Sequence, residues 1–187
     1  MTVRPFEQGD AGELWRMKQQ FERGLGSETG GDQKAQRYTD KLTAAYRERY
    51  LTWVGRCQES DSRALTVAEY GDDSPSRAED TPDQTVTEPP KAASNEASTL
   101  AGYVFVLPES MAMIWDAAVL NEIYVDPAVR GTGVADELLN AALVYANQQD
   151  LPLDRLVLDV DPDNGRAVSF YQRHGFESWG DMVAREL

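Results

Sequence analysis

Cysteine is nearly missing from this chain. Cys57 stands alone, so an intramolecular disulfide and a paired-thiolate metal site are both excluded. Histidine is equally scarce: His174 is the sole imidazole, which removes a histidine-rich metal centre. Lysine occurs four times against 32 Asp and Glu residues. The net charge of −14 and the pI near 4.4 argue against nucleic acid or an anionic membrane as partner, since both are repelled over a Debye length. The acidity leaves two readings open, a halophile-like surface adapted to salt or a field that concentrates a cationic amine. Long apolar runs are absent as well. YVFVL, the longest, is far too short to span a bilayer, and MTVRPFEQGD lacks the basic and apolar regions of a signal peptide. A cytoplasmic protein is expected.

What is present is enough for one domain over residues 1–187, with 41% hydrophobic residues to build a core. Val3–Phe6 reads as a short strand. Asp10 followed by Glu13 reads as a capping box for a helix bearing Leu14, Trp15, Lys18 and Phe21. GLGSETGGD reads as a loop, and Gln33 to about Gly55 as one long second helix. Ala64–Tyr70 and Thr99–Leu107 have strand character. Between them, residues 71–98 are rich in Ser, Thr, Pro, Asp and Glu. They lack the apolar surface to offset ordering entropy, which predicts a disordered acidic insertion.

The pattern sharpens after Ala117. AAVLNEIYV is a strand ended by Asp126-Pro127, Val134 to about Gln148 is an amphipathic helix, and Arg155–Val160 is a second strand. Ala167, Phe170, Tyr171 and His174 then share the face of a further helix. Strand, helix and strand form a βαβ unit, which makes the two strands parallel and places a ligand at their carboxyl ends. Arg130-Gly131-Thr132-Gly133 falls at that end, at the mouth of a helix. Its glycines let backbone N–H groups approach an anion, and the helix N-terminus favours negative charge. Alone, the glycines also read as a tight turn with no ligand. A P-loop is excluded because Val134 occupies the lysine position, and the dinucleotide fingerprint lacks its third glycine.

The conjunction of NEIYVDPAVRGTGVADELL with VLDVDPDNGRAVSFYQRHGF resembles the GNAT family of N-acetyltransferases. Arg130, Gly133 and Ala135 match the family's Arg/Gln-x-x-Gly-x-Gly/Ala turn. Asn164, Ala167, Phe170, Tyr171, Gly175 and Phe176 match its Asn-x-x-Ala-x-x-Phe-Tyr-x-x-x-Gly-Phe segment. The motif pattern is nearest to the ribosomal-protein N-terminal acetyltransferase branch. The resemblance implies an α/β fold with a mixed central sheet, helices on both faces, and the fourth and fifth strands parallel and splayed around acetyl-CoA. It implies that backbone of Ile123, Tyr124 and Val125 pairs with the pantetheine arm. Backbone N–H groups of Arg130, Gly131, Thr132, Gly133, Val134 and Ala135 would hold the pyrophosphate, and Asn164 would touch the pantetheine. As a sequence feature alone, Asn164 is equally a helix N-cap.

By the same resemblance, Tyr171 protonates the departing thiolate. A phenol is protonated at neutral pH, as that step needs. The incoming amine must lose a proton, and Asp159 and Glu122 are the candidate bases. In the ribosomal-protein branch a Glu stands at the position of Asp159. Aspartate is a methylene shorter, which favours a route through water. No metal is implied. His174 reads as helix-end packing, and Cys57 has no activating base near it in sequence. ESWGDMVAREL leaves room for one strand after Gly175-Phe176, which predicts an open acceptor site. The acceptor readings are a peptide or protein N-terminus, a small polyamine- or aminoglycoside-like amine, or none at all in a CoA-binding module without turnover. The chain is expected to be a monomer or homodimer.

Overall fold

The computed structural model describes residues 1–28, 31–71, 99–180, 183 and 185. Apart from Gly71, the expected insertion lies outside them. The chain runs β1 (Thr2–Pro5), α1 (Ala11–Glu28), α2 (Gly31–Asp40), α3 (Ala44–Ser60), β2 (Leu65–Glu69), β3 (Leu100–Val106), α4 (Glu109–Ala112), β4 (Ala118–Val125), α5 (Val134–Ala146), β5 (Leu156–Val157) and α6 (Gly165–Arg173). The strands form one mixed sheet in sequence order. β1 to β4 are antiparallel neighbours, and β5 joins β4 in parallel.

All seven residues of β3 are buried, because both faces of the sheet are covered. Successive side chains of a strand point to opposite faces. Gly102 faces α5, where an added Cβ would meet Leu138 Cδ1 at 3.2 Å. Tyr103 faces α1, its hydroxyl 2.7 Å from the Glu122 carboxylate that Lys18 of α1 also holds. Phe105, on the same side as Tyr103, packs its ring 4.9 Å from that of Trp53 in α3. Fully burying a large apolar side chain contributes about 1.5–3 kcal/mol. Leu100, Tyr103, Phe105, Leu138 and Leu139, all fully buried on the two faces of the sheet, each contribute on that scale. Gly102 is required by a close approach as well: its Cβ would lie 2.6 Å from the Tyr124 carbonyl oxygen.

Three expectations about the helices need correction. The long second helix is two, because Thr43 adopts an extended conformation and its hydroxyl accepts the Tyr46 N–H at 3.2 Å, restarting the helix as α3. The segment read as a loop after Phe21 continues α1 to Glu28, and α2 begins at Gly31. The capping residues also differ. Asp10 accepts the Glu7 N–H at 2.8 Å and hydrogen bonds from Nη1 and Nη2 of Arg4, while Glu13 accepts from Thr99 and Leu100 at the start of β3.

β4 carries a bulge. Phe105 pairs with Glu122 and Val106 with Leu120, which leaves Asn121 as the extra, exposed residue. β5 is much shorter than the Arg155–Val160 strand expected. Only Ala118 with Leu156 and Val119 with Val157 are paired, after which the two strands part. The separation leaves Leu120–Val125 without a ladder partner on the β5 side. No strand follows α6 over residues 176–180, and much of the remainder of the expected last strand lies outside the described residues. Among the described residues, no helix is long and apolar enough to cross a membrane.

Candidate functional site

The turn after β4 is built by local chemistry. Asp126 accepts the Ala128 N–H at 3.0 Å and starts a short 3-10 turn, Pro127–Val129. Thr132 donates its hydroxyl proton to the Val129 carbonyl at 2.7 Å, and Arg130 Nε donates to the Val125 carbonyl at 3.2 Å. Gly131 and Gly133 have φ of +80° and +95°, the left-handed region that side chains strain. No side chain caps α5, so the first N–H groups after Gly133 lack the partner that helix starts usually acquire. Nothing lies within 4 Å of where a Cβ would project from either glycine. The result is an open, donor-lined helix start beside the unpaired edge of β4, which fits an extended ligand ending in an anion. Ile123, Tyr124 and Val125 provide that edge; Arg130, Gly131, Thr132, Gly133, Val134 and Ala135 provide the turn.

Two carboxylates, Asp136 and the exposed Glu137, lie in the first turn of α5, where an unpaired charge would oppose such an anion. Asp136 is paired instead: Arg173 Nη2 and His174 Nε2 of the α6 end each lie 2.8 Å from its Oδ1. The Arg173 hydrogen bond holds the Asp136 carboxyl below its usual range, with His174 adding to it. His174 also packs its ring 4.7 Å from Phe170 at the end of α6.

α6 begins at Asn164, whose side-chain oxygen accepts the Ala167 N–H at 3.1 Å. The N-cap reading of Asn164 is thus present in the structure. Tyr171, one face along, is 8% exposed, with Phe170 and Phe176 edge-on at 5.4 and 5.5 Å. Burial pushes its phenol up to about 12, and among the described residues the hydroxyl makes no hydrogen bond. The phenol thus keeps its proton at neutral pH. Asp159 is exposed and lies past the end of β5, on the side where β4 and β5 have parted.

Glu122 is in a different setting from the one its sequence position indicates. It is 5% exposed and accepts from Lys18 Nζ at 2.7 Å, Tyr103 at 2.7 Å, Tyr50 at 3.0 Å and Asn121 Nδ2 at 3.1 Å. Lys18 also pairs with Glu22 at 2.7 Å, and Lys41 reaches Glu22 at 2.6 Å. Burial alone would lower the Lys18 ammonium, but the two carboxylates outweigh it and hold its pKa above the usual lysine value. Burial and Glu122 together push the Tyr50 and Tyr103 phenols well up, so both remain donors. Sequence reading missed these partners. The available signal was Lys18 itself, a charged residue among Leu14, Trp15 and Phe21. Beside Glu122 opens a cleft of about 390 Å3, lined by Tyr46, Arg49, Tyr50, Trp53, Asn121 and Glu122.

Cys57 sits apart from all this. It is fully buried, its thiol is pushed up to about 11 by burial, and its sulfur contacts that of Met111 at 3.5 Å. Among the described residues, no cluster of His, Cys, Asp or Glu is arranged to hold a metal ion.

Comparison with known proteins agrees with this geometry. Residues 42–176 match the acetyltransferase (GNAT) family. An uncharacterized N-acetyltransferase of Methanocaldococcus jannaschii is 37% identical over 76 residues, which is 37% of this chain and 33% of that protein. The mycothiol acetyltransferase of Salinispora tropica is 39% identical over 74 residues, 38% of this chain and 24% of that protein. The matched stretches thus span a third or less of these relatives' own lengths. The PaiA N-acetyltransferase of Thermoplasma acidophilum, solved in complex with coenzyme A, shares the fold with a TM-score of 0.62 at 17% identity, over 94% of this chain and 89% of that one. With well over half of its length inside the family match, and with β4 and β5 parting beside a glycine turn, the chain belongs to the acetyltransferase (GNAT) family.

Proposed function

We propose that the protein is an acetyl-CoA-dependent N-acetyltransferase that acts on a primary amine by direct attack in a ternary complex. The observation that carries this reading is the uncapped start of α5 behind Gly131 and Gly133, set beside a β4 edge that β5 leaves unpaired. Pyrophosphate on the turn and pantetheine along Ile123–Val125 would bring the thioester toward Asn121 and Glu122. The amine nitrogen forms a bond to the thioester carbonyl carbon, the C–S bond breaks, and Tyr171 gives its proton to the sulfur. The products are an amide and the CoA thiol. The amine's proton leaves through water to Asp159; the exposure of Asp159, and the four donors already on Glu122, support that choice. Asn164 has its amide nitrogen left to meet the pantetheine while its oxygen caps α6.

Two acceptor classes have support. The motif likeness to the ribosomal-protein branch favours a peptide N-terminus. The cleft beside Glu122 is open to solvent, and its aromatic lining favours a compact amine. The acidic surface supports a cytoplasmic, salt-adapted setting. A single-turnover assay with labelled acetyl-CoA, run across amines and peptide N-termini, tests the reading. Label should appear on nitrogen. Tight acetyl-CoA binding with transfer to no amine would replace it with a CoA-binding module.

A further inference from the structure

We infer that the acceptor is a primary amine with a flat apolar body and a carboxylate, seated in the cleft beside β4 with Arg49 gripping the carboxylate. The inference rests on the acetyl-CoA reading above, which brings the thioester to the same stretch of β4. Three of the six lining residues are aromatic and follow one another along α3: Tyr46 and Tyr50 lie 6.4 Å apart, Tyr50 and Trp53 6.2 Å. Such a wall suits a planar, apolar body.

The charges decide the rest. Glu122 is the one carboxylate in the lining, and Lys18, Tyr50, Tyr103 and Asn121 already donate to it. Its charge and that of Glu22 are answered by Lys18 and Lys41. The floor therefore offers no spare anion to a substrate ammonium, and a polycation would meet Arg49. Arg49 is exposed at the rim and has no ion pair or hydrogen bond among the described residues, although the chain carries a net charge of −14. A guanidinium fork matches a carboxylate in two parallel hydrogen bonds.

Phenylalanine and phenethylamine differ by the carboxylate alone, and spermidine serves as the polycation. Binding to the whole protein is read by calorimetry and acetylation by kcat/KM, for the unaltered chain, Arg49→Gln and Arg49→Glu. Phenylalanine should bind about tenfold or more tightly than phenethylamine, the scale of one charge-assisted contact. Arg49→Gln should erase that difference and Arg49→Glu reverse it, with acetyl-CoA affinity unchanged in all three proteins. Equal binding of the two amines, a preference for spermidine, or discrimination that survives Arg49→Gln overturns the inference. Calorimetry is run without acetyl-CoA. A protein that fails to bind acetyl-CoA therefore sinks the acetyltransferase reading, while the amine comparison still decides the cleft.

Discussion

The two sides of β4 present opposite solutions to placing charge. On the β5 side the chain uses backbone: two glycines at positive φ, an uncapped helix start and a bare strand edge, all reachable from solvent. On the α1 side it uses side chains. Lys18, Glu22 and Glu122 are 4%, 2% and 5% exposed, and Tyr50 and Tyr103 close around them. The first arrangement is short-range in sequence and waits for a ligand's charge. The second joins residues 104 positions apart and is already neutralised from within. One should therefore fail in binding when altered, and the other in folding.

The sharpest break is Lys18→Met. Removing the cation leaves the buried Glu122 without a charge partner and Glu22 with Lys41 alone, which should cost about 3–5 kcal/mol of stability in denaturant unfolding. In the unaltered chain, burial raises the Glu22 carboxyl, but Lys18 and Lys41 more than offset it, and its pKa lies below the usual 4.5. That stability is present above about pH 4.5 and is lost as pH falls through the lowered value, because the unfolded chain then binds more protons. An unfolding series that shows no loss for Lys18→Met, and no acid dependence in the parent, would erase the contrast between the two sides.

An effect of comparable size is expected from Tyr171→Phe. Turnover should fall by about 10²–10⁴, the usual contribution of a positioned acid, with acetyl-CoA affinity and melting temperature nearly unchanged. With the phenol pushed up to about 12, the parent's kcat should hold through pH 10, where an ordinary tyrosine is half ionised. A decline centred at pH 10, or equal rates for both proteins, would remove Tyr171 from the chemistry. Smallest of the three is Gly133→Asp. Strain at φ +95° and like charge at the helix start should weaken acetyl-CoA binding by about ten- to a hundredfold, with the α1 network intact. Unchanged affinity would mean that the turn is no cradle.

This contrast also explains what the sequence disclosed. β4, α5, α6 and the glycine turn were legible because each depends on neighbours a few residues away, and their motifs state the spacing outright. The join between α2 and α3 was hidden because the 33–55 pattern stays compatible with helix; only Thr43, as a capping residue, marks the restart. The short ladder of β5 was hidden for another reason. RLVLDV has strand character throughout, but pairing ends where β4 turns away, which is a property of two strands and not of either. Glu122 looked like a free base because its parity on β4 is visible in the chain, while Lys18, Tyr50 and Tyr103 reach it only after folding.

The buried Lys18–Glu22–Glu122 group has a consequence for the medium in which the protein works. Mobile ions shorten the range of fields at a surface to about 8 Å at physiological strength and about 3 Å at 1 M, but they do not enter a packed core. The acidic exterior, with its excess of 14 charges, must therefore change its reach with every change in salinity. The carboxylate beneath the cleft, enclosed by its own lysine and tyrosines, should hold the same local potential in fresh water and in brine.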